Sequence, residues 1–137
     1  MAGTESDHPT AASISSAISK AAVALLSEHT GRGPTRARTY INEDLIIVVL
    51  YDTLTSEERA TVRSGGGDLV LSARQAFQKA MRPELIATVE RFSGRSTSAC
   101  MSHNHIDPDI VVESFVLAPR TNGAPERDHR SAAGLPR

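Results

Sequence analysis

The residues best equipped for chemistry in this chain are three arginines, Arg32, Arg36 and Arg38, set in one short segment that contains no acid. Arg36, Arg38 and Tyr40 alternate with other residues, so on an extended strand all three project from one face. A row of guanidinium groups suits a bidentate hold on a carboxylate, a phosphate or the acidic surface of a partner. The competing reading is a solvated sheet face whose charges pair with Glu43, Asp52 or Glu113 on neighbouring strands, pairs that contribute little when exposed. Arg74, Gln78 and Arg82 recur at helical spacing and extend the basic patch, unless they are only the wet side of a helix.

A second constellation is Ser102-His103-Asn104-His105-Ile106-Asp107-Pro108-Asp109. His103, His105 and Asp107 offer nitrogen and oxygen ligands for a divalent metal. Asn104 and Asp107-Pro108 are also strong turn formers, and no further cluster completes a coordination shell, so a hairpin loop is the plainer reading. Two histidines there would make such a loop sensitive to pH. Ser64-Gly65-Gly66-Gly67 before a helix has the outline of a phosphate loop, but the Lys-Ser/Thr pair is missing and Asp68 puts negative charge where a phosphate would sit. Cys100 stands among small residues and reads as a structural thiol. The hydroxyls of Ser93, Ser96, Thr97 and Ser98 lack a nucleophile elbow. These residues carry no catalytic signature and no cofactor motif, and the expectation is a non-enzymatic domain.

The elements that must position these residues are constrained by composition. A length of 137 residues fits one domain with a modest core. Aromatic residues make up only 4% and Trp is absent, so the core falls to Ile, Val, Leu and Ala, with Phe77, Phe92 and Phe115 as its largest pieces. A formal net charge of −1 provides no global field toward nucleic acid or anionic lipid, so any basic surface is local. A single cysteine excludes an internal disulfide and a cysteine-based zinc site, and fits a reducing, cytoplasmic setting. The first residues, MAGTESDHPTAASIS, lack the pattern of a signal peptide. The longest apolar run, Leu45 to Tyr51, is far shorter than the roughly 20 residues a helix needs to cross a bilayer.

Residues 1–12 read as a flexible segment and 120–137 as a disordered tail, with a single folded unit over 13–119. Within it, Ile14, Ile18, Ala21, Leu25 and Leu26 predict an amphipathic helix from Ser13 to about His29, capped by Ser13 or Ser15 and stopped at Gly31. Thr35 to Ile41 and Leu45 to Tyr51 predict a hairpin about the turn Asn42-Glu43-Asp44. Thr55 and Glu58 form a capping box for a short helix to about Arg63. Asp68 would cap a longer helix that bears Val70, Ala73, Phe77, Ala80 and Met81, kinks or restarts near Arg82 because of Pro83, and ends at Gly94. A strand from Arg95 to Ser102, a turn over His103 to Asp109 and a strand from Ile110 to Leu117 complete the order α-ββ-α-α-ββ. The fold class is α+β, a two-layer domain whose four-stranded, mainly antiparallel sheet packs against helices. A sheet this small predicts self-association as a homodimer.

With these segments in place, the chain resembles the MpsC-like family, named for a sodium-translocating, membrane-potential-generating system. The matching pieces are Gly31-Arg32-Gly33-Pro34, the hairpin through Leu45 to Leu50, Leu54-Thr55 with Glu58, and Arg74, Phe77 and Met81. Val89-Glu90, Gly94-Arg95 and the closing Phe115-Val116-Leu117-Ala118-Pro119 complete them. The resemblance implies an accessory or regulatory role beside a separate membrane ion-transport protein, since no segment here can conduct an ion by itself. The alternative from the residues alone is a small-anion or nucleic-acid binding module using Arg32, Arg36 and Arg38, with Arg74 as an outlying member. Neutral overall charge and scarce aromatic groups weigh against nucleic acid.

Overall fold

Helix α1 (Ala11–Thr30) begins one turn earlier than its serines suggest. The Thr10 hydroxyl accepts the Ser13 N–H at 3.0 Å, and the Ser13 hydroxyl donates back to the Thr10 carbonyl, so Ser13 lies inside the first turn. Ala11 and Ala12, expected in a loose terminus, are strong helix formers with no side chain to compete for the backbone. The helix stops at Gly31, whose φ of 80° is a left-handed conformation that glycine adopts without steric cost. The computed structural model describes residues 9–120; of the flexible segment expected over 1–12 the first eight residues, and of the tail expected over 120–137 all but Arg120, lie outside the described residues.

Strands β1 (Arg36–Asn42) and β2 (Leu45–Tyr51) are joined by the two-residue turn Glu43-Asp44, with Glu43 at φ 54°. Thr35, expected as the first strand residue, bonds the Tyr51 carbonyl through its N–H and the Asp52 carboxylate through its hydroxyl. Helix α2 (Ser56–Arg63) carries both bonds of the expected capping box between Thr55 and Glu58. Helix α3 (Gly67–Ser93) is capped by Gly66 without any side-chain bond, so Asp68 lies in the first turn, where its charge favours the helix dipole. A Cβ on Gly66 would stand 2.6 Å from Thr61 Cγ2 and 3.1 Å from the Thr61 carbonyl oxygen, which explains a glycine at this crossing.

The helix does not restart near Arg82: α3 runs as one element of 27 residues with Pro83 inside it. Pro83 is exposed while Met81 and Leu85 on either side are buried. Lys79, whose carbonyl has no N–H to accept from at Pro83, lies on the same exposed side of the helix, and core packing holds the helix together. Strand β3 (Thr97–His105) is longer than expected and takes in both histidines of the predicted loop; only Ile106 to Asp109 turn before β4 (Ile110–Leu117).

The element order is the expected one, and the sheet order is β1-β2-β4-β3, antiparallel at every step. Two hairpins thus meet through β2 and β4 at the centre. One face of the sheet packs on α1 and α3. Ile46, Val48 and Leu50 from β2 and Val111, Phe115 and Leu117 from β4 meet Ile18, Ala22, Leu25, Leu26, Met81, Leu85 and Val89 there. Phe115 is fully buried, and Phe77 and Phe92 pack at the margin of this core.

Candidate binding face

The period of a strand sends alternate residues to opposite faces, and among the described residues the second face of this sheet has no helix on it. Strand register sets four rows across it. Arg36, Tyr51, Ile110 and His105 form the first, and Arg38, Val49, Val112 and His103 the second. Tyr40, Ile47, Ser114 and Met101 form the third, and Asn42, Leu45, Val116 and Ala99 the fourth. None of these residues is acidic. Tyr40 is 53% exposed, Met101 41%, Leu45 38% and Val116 37%, values high for large apolar groups on a sheet. The result is an aliphatic centre with two arginines along one edge and two histidines along the other. The Arg36 guanidinium sits 4.1 Å above the Tyr51 ring, a cation–π contact that orients it without neutralising it.

Glu43, Asp52 and Glu113 do not pair with these arginines. Glu113 points through the opposite face, where it is buried beneath α3. It accepts the Ser102 hydroxyl, and Ser102 in turn accepts from Arg82 Nη2 at 3.3 Å. Burial pushes the Glu113 carboxyl up to about 7, against the opposing pull of the Ser102 hydrogen bond and the Arg82 charge. The nearby Cys100 thiol is pushed up to about 11 by burial and by the Glu113 charge, which suits a packing role and not a nucleophilic one.

Arg32 does not share the face with Arg36 and Arg38. Its Nη2 donates to the Asp52 carbonyl at 3.1 Å, and its side chain lines a hollow with Ser56, Arg59 and Arg63. Arg74 is no part of a basic patch either. It is buried, with Nε and Nη2 on the two Glu58 carboxylate oxygens at 3.2 and 2.9 Å, and Nη1 and Nη2 on the Thr53 hydroxyl and carbonyl. Burial alone would raise the Glu58 carboxyl, but Arg74 and the Thr55 cap hold it below its ordinary value. The row Arg74, Gln78, Arg82 is thus the polar seam between α3 and the sheet, not a wet helix side: Gln78 and Asn104 exchange two amide hydrogen bonds at 2.8 and 2.9 Å.

The structure does not bring His103, His105 and Asp107 together as one ligand set. His103 projects from the bare face, His105 Nδ1 bonds the Pro108 carbonyl at 2.8 Å, and Asp107 is exposed in the turn. Among the described residues no three of His, Cys, Asp and Glu are placed to hold an ion. Sequence reasoning overlooked Arg59 and Arg63, whose spacing along α2 was the available signal. It also overlooked the core-facing phase of Glu113, legible from Val111 and Phe115 on either side of it.

Fold and face define a class: a small α+β domain with helices on one side of an antiparallel sheet and the other side open. Residues 10–119 match the family model described as the Na+-translocating membrane potential-generating system, MpsC. The chain belongs to the MpsC family. No curated protein and no solved structure matches it. Among the described residues no helix is long and apolar enough to cross a membrane.

Proposed function

We propose that this domain is a non-enzymatic accessory or regulatory component of a membrane ion-translocating system, and that it docks through the open sheet face onto an acidic, partly apolar segment of a partner protein. The observation that supports this most is the absence of any acid on a face that carries Arg36, Arg38 and an aliphatic centre. Such a surface gains from hydrophobic burial at its middle, while its charged edge selects partners of opposite sign. The family description supplies the kind of system.

The face does not suit a second copy. A two-fold axis between facing sheets sets Arg36 and Arg38 against themselves or against the His103–His105 edge, with no carboxylate to answer them. Homodimerisation in the cytoplasm, if the domain uses it, therefore employs the free edges of β1 or β3.

The test is a photo-crosslinking amino acid at Val112 or Tyr40, with Ala24 on the exposed side of α1 as control, in native cells with membranes intact. The expected product joins Val112 or Tyr40, but not Ala24, to an integral ion-handling protein and is lost when Arg36 and Arg38 are both changed to Glu. Crosslinks equal at all three sites, or none from the sheet face, would overturn the proposal. Exposed Tyr40 beside Arg38 also gives a second reading, a stacking surface for single-stranded nucleic acid. Salt-dependent oligonucleotide binding, abolished by the same double change, would favour that reading instead.

A further inference from the structure

We propose that the hollow between the loop after α1 and helix α2 is a binding site for a phosphate-class dianion, separate from the sheet face. It has a volume of about 480 Å³ and is lined by Arg32, Ser56, Arg59 and Arg63, with no carboxylate in its wall. Two of the three guanidinium groups are fixed by backbone carbonyls: Arg32 Nη2 donates to Asp52 at 3.1 Å and Arg59 Nη2 to Leu54 at 3.2 Å. A carbonyl positions a cation without cancelling its charge.

The ion pairs among the described residues are Arg74–Glu58, Arg95–Asp44 and His29–Glu84, so none engages the three lining arginines. Arg59 and Arg63 lie four residues apart on one helix, an arrangement that like charges make unfavourable unless an anion bridges them. The Arg32 Nε–H is buried and has no acceptor among the described residues, so no carboxylate neutralises this guanidinium from inside the protein. Ser56, the first residue of α2, adds a hydroxyl at the positive end of the helix.

The nearby acids do not fill this role. Glu58 is held by Arg74, and the Asp109 carboxylate accepts from the Thr53 hydroxyl and the Leu54 N–H. Asp52 takes the Thr35 hydroxyl, and Asp107 and Asp109 stand in an adjoining hollow that Arg59 and Arg63 also line, without an ion pair to either arginine among the described residues. Converging guanidinium groups with fork geometry suit the tetrahedral oxygens of a phosphate better than a monovalent anion.

Inorganic phosphate and pyrophosphate, titrated into the full chain by calorimetry at matched ionic strength, provide the test. One saturable site is expected, together with shifts of the Arg32, Arg59 and Arg63 side-chain N–H resonances on phosphate addition. Arg63→Ala, which removes a side chain that makes no hydrogen bond among the described residues, is expected to weaken binding at least about tenfold with an unchanged ligand-free Tm. Arg38→Ala is expected to bind as the unaltered chain does. Absence of saturation at millimolar phosphate, equal displacement by chloride, or equal losses from Arg63→Ala and Arg38→Ala would each overturn the site while leaving the docking proposal intact.

Discussion

Arg38 and Arg74 are the same side chain in opposite circumstances. Arg38 projects from the outer face into solvent, whereas Arg74 spends its donors on Glu58 and Thr53 inside the protein. Truncating Arg74 leaves the Glu58 carboxylate without its counter-ion and the buried Thr53 carbonyl without the donor it has here. Because Glu58 keeps a quarter of its side chain exposed, Arg74→Ala should cost about 3 kcal/mol, the low end for a broken internal pair, read by urea unfolding. Glu113 makes the second prediction at this scale. Its folded pKa of about 7 lies above the ordinary 4.5, so the folded protein holds this proton more tightly than the unfolded chain. The stability it contributes is whole below pH 4.5 and is lost as pH rises toward about 7. Glu113→Gln should therefore gain on the unaltered chain across that window, by up to about 3 kcal/mol at pH 8. A difference in unfolding free energy that does not change with pH would contradict it.

At the scale of elements, α3 departs most from local expectation. Pro83 removes one backbone bond and crowds the Lys79 carbonyl, yet the helix continues because Met81, Leu85 and Val89 are anchored in the core. Pro83→Ala should restore the missing bond. We expect a gain of about 1–2 kcal/mol, less than the full helix-propensity difference because the unfolded chain also gains freedom. Thermal unfolding checks this: a lower Tm would mean that the proline sets a bend the packing needs. The turn between α2 and α3 shows the opposite case, where Gly66 is required by its approach to Thr61 and no side chain caps the helix.

For the whole molecule, the decisive feature is asymmetry between the two sides of one sheet. On one side, two helices bury the aliphatic core and a polar seam; on the other, a comparable set of Val, Ile, Leu and Tyr meets water between arginines and histidines. Because the Arg36 and Arg38 side chains make no hydrogen bond or ion pair among the described residues, and only the Arg36 contact with Tyr51 is given up, changing both to Glu should leave Tm within about a degree or two while abolishing docking. Loss of docking with a fallen Tm would instead mark the two residues as structural.

Hydrophobic period and turn chemistry were enough to read the helix–hairpin order, the strand β2 run, the Thr55–Glu58 cap and the glycine stops, because these depend on neighbours along the chain. Outward projection of Arg36, Arg38 and Tyr40 followed from the two-residue period in the same way. What local pattern could not decide was which side of each element meets another. Arg74, Gln78 and Arg82 look like a wet helix stripe until Glu58, Asn104 and Ser102 arrive from distant segments to satisfy them. His103 and His105 look like a loop until cross-strand pairing with β4 draws them into β3. The gathering of Arg32 with Arg59 and Arg63 likewise depends on how a loop and a helix pack, since long-range hydrogen bonds and burial are properties of the assembled fold.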